Sequence, residues 1–264
     1  MDDRIARELS AAATRFDAAA HLSFLCAGVQ VGWLRKTDAG KLAAWPDVFI
    51  SDARGVCICD DLATPAMRTS ELARVIEALH REGAIRGWRD ESYAVTTSFD
   101  APALFHIERA AARFFGTTTY AAHANGWCGD AMWIARRSST KPIDPGLLDN
   151  LVGGGMCAGV DPHATIVREA WEEAGIPPEL AQKAARAGEF SVLRGVAEGV
   201  QAETVFVFDL ELPDDFMPRS VDGEVAEFRR VALADVYGIA DGRQMTLDAS
   251  LVARHFLARR AKQR

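Results

Sequence analysis

The chain has 264 residues, 49% of them hydrophobic and 25% charged, and carries a formal net charge of −7. This is the balance of an ordinary soluble globular protein, long enough for one large domain or two small ones. The acidic sign gives no reason to expect nucleic acid, whose binders present a basic face, and no apolar run approaches the ~18 residues of a membrane span.

In chain order, residues 2–19 predict a helix with apolar spacing through Ile5, Leu9 and Ala12. The stretch 21–36 is β-rich, with Val29–Leu34 as its clearest strand. Pro46–Ile50 and Val56–Cys59 predict two more, parted by the turn-prone Ser51–Gly55. A helix follows from Thr69 or Ser70 through Leu72, Val75, Ile76 and Leu79 to about Gly83, and another runs through Leu104, Ile107, Ala111 and Phe114 to Gly116. A boundary here divides an N-terminal α+β domain (1–117) from a second domain (118–264). The five cysteines have no disulfide-like spacing. Cys57 and Cys59 would share a strand face, but no second Cys/His pair completes a zinc site, so they read as buried thiols. With no signal peptide in view, a cytoplasmic, reducing setting is expected.

Past the boundary, Ala131–Arg137 predicts a strand, followed by a polar loop to Pro145. A glycine-rich loop then runs into a short helix, LVGGGMCAGVDPHATIVREAWEEAGI, over 151–176. Asp161 can cap that helix, Pro162 suits its first turn, Gly175 can close it, and Pro177 and Pro178 stop it. At about 100° per residue, Glu169, Glu172 and Glu173 fall within roughly a third of the circumference. Ala164, Val167, Ala170, Trp171 and Ala174 read as the core-facing stripe. The Glu169/Glu173 pair alone costs roughly 0.2–0.5 kcal/mol, and Arg168 can answer only Glu172. Such a face is either a solvated helix surface or the ligand set of a hard divalent cation such as Mg²⁺. Phe190–Val196, Thr204–Leu212 and Glu224–Val231 predict further strands, and Ser250–Arg260 a closing helix.

Gly154, followed at fixed spacing by Arg168-Glu169-Ala170-Trp171-Glu172-Glu173-Ala174-Gly175-Ile176, resembles the Nudix box. One position departs: Val160 stands where the motif has its first glutamate, which in the family mainly pairs with the motif arginine and supports the loop. The resemblance implies an α/β/α sandwich around a mixed sheet, preceded here by a smaller α+β domain. The flanks extend it. Phe105–Ala111 and His123–Trp127 before the box, Trp133–Arg137 with Lys141-Pro142 and Pro145–Asn150 leading into it, and Asp222–Phe228 after it resemble one Nudix subfamily with its own N-terminal domain. In fungi a similar unit is fused to thiamine pyrophosphokinase. The implied activity is hydrolysis of damaged thiamine diphosphate, the oxy and oxo forms, to the monophosphate plus phosphate.

On that resemblance Glu169, Glu172 and Glu173 are the expected catalytic acids. With Gly154 they are also the expected metal ligands, for Mg²⁺ or Mn²⁺. Glu169 is the favoured general base. Arg168 and Gly175 are structural parts of the box. Arg136, Arg137 and Lys141 could bind phosphate oxygens, and Glu203, Glu224 and Glu227 are auxiliary acids at the substrate; solvated strand ends are the competing reading for all six. Trp127 and Trp133 could stack on a ring or pack in the core, and His123, near Asn125, could meet substrate or cap a turn. His163 has no assigned role, and Cys157 reads as a small filler. The expected partner is a small-molecule diphosphate, with neither nucleic acid nor membrane. The N-terminal half could cover the active site, supply a ring pocket or form a homodimer contact.

Three other functions compete. An ADP-ribose or nucleotide-sugar pyrophosphatase would share the metal site and differ in the pocket. An isopentenyl diphosphate isomerase would need an active cysteine and a histidine-rich metal site. A non-catalytic ligand sensor would be marked by loss of the box acids, of which only the one at Val160 is missing.

Overall fold

The computed structural model describes residues 13–141, 143–156, 159–241 and 243–262, so the helix expected over 2–12 and Cys157 lie outside the described residues. The end of that expected helix is different: Thr14–Arg15 is a short strand, β1, and Ala18–Ala20 a 3-10 turn. The first unit is then built from two hairpins. β2 (His21–Cys26) and β3 (Val29–Arg35) meet through Ala27 and Gly28, both at positive φ (49° and 79°), the backbone a tight two-residue hairpin requires. After α1 (Lys36–Leu42) come β4 (Phe49–Asp52) and β5 (Gly55–Ile58), completing a sheet of order β3-β2-β5-β4.

Helix α2 (Pro65–Arg81) begins four residues before the expected Thr69, because Thr64 caps it (Oγ1 accepts from Met67 N–H at 3.2 Å) and Pro65 fits its first turn. It buries Leu72, Val75, Ile76 and Leu79 in a core shared with Phe24, Phe49, Phe105 and Phe115. The helix expected over 104–116 is only half realised. Phe105 and Ile107 are buried while His106 and Glu108 are not, a period of two, and β7 (Phe105–Glu108) pairs with β6 (Ser92–Val95). Only α3 (Ala112–Phe115) is α-helical there.

The second unit is an α/β/α sandwich. Its strands are β8 (Thr118–Cys128), β9 (Ala131–Arg137), β10 (Leu148–Asp149), β11 (Val152–Gly155), β12 (Ala185–Val196), β13 (Gly199–Glu211) and β14 (Val225–Ala232). The sheet runs β1-β12-β13-β8-β9-β10, with β11 on β8 and β14 on β9; β13–β8 is parallel, and the other pairs within this unit are antiparallel. Helix α4 (Pro162–Ala174) packs on one face over Ala122, Ala124, Phe206 and Phe208, and is followed by the single turn α5 (Pro178–Ala181). Helices α6 (Leu233–Asp241) and α7 (Leu247–Arg260) pack on the other face, over Met132, Ile134, Val205 and Val207. The two units touch: Arg35 donates to the Ala197 carbonyl at 2.7 Å, and Arg113 pairs with Glu198 at 3.5 Å.

Candidate active site

The box helix α4 is capped as its sequence predicts. Asp161 accepts from the His163 and Ala164 amides at 2.9 and 3.2 Å, and Gly175 ends the helix at φ 63°. Its buried face is different. Pro162, Thr165, Ile166, Ala170, Glu173 and Ala174 face the sheet, while Ala164 is exposed and Trp171 is 46% exposed. The helix is rotated so that Glu173, not Trp171, enters the interior. The three acids therefore do not share one open face.

Strand β11 explains why an acid can go inside. It pairs with β8 (Gly153↔His123, Gly154↔Ala122, Gly155↔Ala121), and its three glycines each leave room for something different. A Cβ on Gly153 would stand 2.7 Å from the His123 ring, on Gly154 2.2 Å from Glu169 Oε1, and on Gly155 2.4 Å from the Tyr93 hydroxyl. The Gly153 amide donates to Glu173 Oε2 at 2.9 Å. Glu169 and Glu173 thus lie against the same glycine strand. Glu172 turns outward to Arg168 (2.8 Å), whose other nitrogen bonds Glu169 at 2.6 Å. Arg168 thus pairs with two of the box acids.

Burial, and then the Glu169 charge, push the Glu173 carboxyl up to about 8; burial also raises Glu169 against the pull of Arg168. Lys141 Nζ lies 4.0 Å from Glu173 and contacts the Glu224 carboxylate, and burial lowers its pKa. Among the described residues no three His, Cys, Asp or Glu side chains form a ready-made metal cluster. A hard divalent ion nevertheless fits what is here: two crowded carboxylates with raised pKa values, beside a backbone where a single Cβ would collide with one of them.

Other expected site residues are held elsewhere. Arg136 pairs across the strands with Glu227 (3.2 Å) and donates to the Gly146 carbonyl. Arg137 is committed to Asp149 (2.8 Å) and the Ile143 carbonyl. Glu203 lies on the α7 face of the sheet, accepting from Thr119 (3.3 Å) and Gln201 (2.8 Å). Trp133 is buried in the core, and Trp127 packs against Phe256 under Arg260. The His163 ring lies 5.9 Å from that of Phe208, tilted by 51°. The described cysteines, Cys26, Cys57, Cys59 and Cys128, are unpaired thiols; Cys57 and Cys59 are half-buried and not fully buried as expected. Two sets of connections went unread in the sequence. One is a polar ladder beneath β11, in which His123 meets Asn150 (3.0 Å), Asn150 meets Asn125 (3.3 Å) and Asn125 meets Asp209 (3.0 Å). The other is the approach of Tyr93 and Arg109 to Gly155 from the first unit.

Residues 4–119 match the family described as a domain of unknown function (DUF4743), and residues 125–254 match the NUDIX domain. Nudix hydrolase 24, chloroplastic, of Arabidopsis thaliana is 39% identical over 236 residues, covering 87% of this chain and 65% of that protein. Nudix hydrolase 20, chloroplastic, of the same plant is 37% identical over 222 residues, covering 79% and 59%. The chain thus spans less than two thirds of the length of either relative. The fold matches the crystal structure of DR0079 from Deinococcus radiodurans at a TM-score of 0.50 and 20% identity, over 62% of this chain and 98% of that one. Both plant relatives are chloroplastic, which overturns the expected cytoplasmic setting. Unpaired thiols suit any reducing compartment and never distinguished one from another. Among the described residues no helix is long and apolar enough to cross a membrane.

Proposed function

We propose, from the match of residues 125–254 to the NUDIX domain behind a domain of unknown function, that the chain is a divalent-metal-dependent hydrolase of a small-molecule diphosphate. The observation that carries this reading is the acid pair Glu169 and Glu173, pressed against Gly153 and Gly154 with its pKa values raised. Glu169, Glu173 and the Gly154 carbonyl would hold Mg²⁺, or Mn²⁺ in its place, with Glu172 joining once it leaves Arg168. When bound, the ion neutralises phosphoryl oxygens and makes bound water more acidic.

The remaining work falls to the chain. Gly153 N–H fixes the Glu173 carboxylate, so that acid is preorganised by the backbone. Glu169, near the surface end of the pair, takes the proton of the attacking water at its carboxylate. Lys141 stands beside Glu173 and is the expected phosphate-binding cation best placed to meet a phosphoryl oxygen. Arg136, Arg137 and Glu227 serve to pin the sheet edge, and Glu224 to position Lys141. We place the division between the units near residue 117.

For the substrate we propose oxidised forms of thiamine diphosphate, cleaved to the monophosphate, supported by the flanking residues that resemble that subfamily. The test is phosphate release with Mg²⁺ across thiamine diphosphate, its oxy and oxo analogues, ADP-ribose and nucleotide sugars, for the wild type and Glu173→Gln. Oxy and oxo forms should turn over fastest, and Glu173→Gln should abolish turnover with little loss of folding. A preference for ADP-ribose would replace the substrate. Wild-type rates in Glu173→Gln would sink the metal assignment, and binding without any turnover would mark a sensor.

A further inference from the structure

The first unit reaches the glycine strand at one point, the hairpin β6–β7 and the residue that follows it. Tyr93 is buried on β6, and its hydroxyl fills the space where a Gly155 Cβ would be. Arg109 follows β7, with its Cζ 5.7 Å from the Tyr93 ring centre and Nη2 3.3 Å from the same Cβ position. Nη1 of Arg109 donates to Glu91 at 2.8 Å. Burial works against this guanidinium's charge, but Tyr93, Glu91 and Glu203 outweigh it and hold the group cationic.

Strand alternation puts Gly153 and Gly155 on one side of β11 and Gly154 on the other. The acids Glu169 and Glu173 come from α4, over which Gly154 lies, and Arg109 comes from the opposite side. Among the described residues β11 pairs only with β8, so its second edge is not covered by another strand. A diphosphate laid along that edge would have carboxylates on one flank and a cation on the other, separated by a wall with no side chains.

Resting on the reading of the chain as a diphosphate hydrolase, we propose that the N-terminal unit completes the active site, with Arg109 binding the substrate's phosphate oxygens beside Gly155. Tyr93 and Glu91 hold it there. A purely structural arginine would spend its fork on protein acceptors. Arg109 gives one side-chain hydrogen bond among the described residues, through Nη1, and its side chain is 38% exposed. Nη2 and Nε are left for an oxyanion, which a guanidinium binds in bidentate fashion. This also gives the first unit a role at the site.

Binding of inorganic pyrophosphate with Mg²⁺ to the full-length chain, measured by titration calorimetry, tests this directly. Arg109→Ala should weaken binding by about ten- to a hundred-fold, the range of a lost charge-assisted hydrogen bond, and Arg109→Lys should restore part of it. In turnover the loss should appear mainly in KM, with kcat changed far less. Thermal unfolding of both variants checks that the hairpin stays docked. Unchanged pyrophosphate affinity in a folded Arg109→Ala overturns the inference, as does failure of the wild type to bind pyrophosphate. If no diphosphate is hydrolysed while pyrophosphate binding still depends on Arg109, the hydrolase reading falls and the clamp stands. Normal turnover with binding indifferent to Arg109 gives the reverse.

Discussion

Replacing Gly154 by alanine should damage catalysis far more than folding. The new Cβ would stand 2.2 Å from Glu169 Oε1 and 2.3 Å from its Cδ, where ordinary contact begins near 3.4 Å. The carboxylate must therefore retreat by more than 1 Å. It sits at the free end of a flexible side chain, so the cost in stability belongs at the low end of the roughly 1–3 kcal/mol expected of overpacking. Function has no such slack, since a displacement of about 1 Å at a reacting group can cost on the order of 100-fold in rate. Gly126→Ala is the contrasting control. Its Cβ would meet Leu151 Cδ2 at 2.1 Å, inside the core, where nothing can swing away. Melting temperature and Mg²⁺-dependent phosphate release should therefore separate the two. Gly154→Ala should lose a few degrees and most of its turnover, while Gly126→Ala should lose stability and keep its turnover per folded molecule. Wild-type turnover in Gly154→Ala would refute the placement of Glu169 at the reacting centre.

Gly155→Ala should destabilise the contact between the units by colliding with the Tyr93 hydroxyl at 2.4 Å, and Tyr93→Phe should relieve it. A double-mutant cycle on melting should show coupling of about 0.5–3 kcal/mol, and additivity would contradict the contact. Asp248, at the start of α7, has its Oδ1 buried with no hydrogen-bond partner among the described residues, and burial followed by the Glu203 charge raises it to about 7. The folded state then holds a proton that the unfolded chain releases near pH 4, so this group's contribution is present below about 4 and is lost as pH rises through about 7. Asp248→Asn should flatten the melting profile across that window, and an unaltered slope would disprove the assignment. Val160→Glu should change turnover by no more than about five-fold, because an exposed pair to Arg168 is worth only ~0.2–1 kcal/mol. A rise beyond ten-fold would mean that Arg168 restrains Glu169 more strongly than its half-exposed geometry suggests.

The sequence made the second unit legible where local rules and burial agreed. Asp161, Pro162 and Gly175 bound the box helix because capping is decided within a few residues. The face of that helix was misjudged because tertiary contacts decide it. Tryptophan is the larger apolar group, but Trp171 would have had to enter a space already filled by Phe206 and Phe208, while Glu173 finds a backbone donor in Gly153. Strand β8 was hidden by its residues, since alanine, asparagine and glycine from Ala121 to Gly126 have little β preference and form a strand only because β13, β9 and β11 pair with them. The glycine triplet was visible in the sequence but not its division of labour. His123, Glu169 and Tyr93 come from 30 residues upstream, the following helix and the other unit, and no spacing rule ties them together.

An acidic chain that takes an anionic substrate must draw positive charge from somewhere, and that charge can be traced. Arg136 is paired with Glu227, Arg137 with Asp149, Lys141 with Glu224, and Arg168 with both Glu169 and Glu172. Each of these side chains is drawn from the box or its flanks, and each meets a carboxylate of the same unit. Among the described residues the second unit therefore brings little uncommitted positive charge to its own glycine strand. On the proposed reading, a divalent ion held by Glu169 and Glu173, with Lys141 beside it, supplies one part and Arg109, from outside that unit, supplies the other. The two parts should respond differently to salt. Raising ionic strength at saturating Mg²⁺ screens a half-exposed guanidinium more than an ion held by buried carboxylates. KM should therefore climb with salt in the wild type and much less in Arg109→Ala. Parallel salt dependences in the two proteins would place the substrate's charge contacts elsewhere.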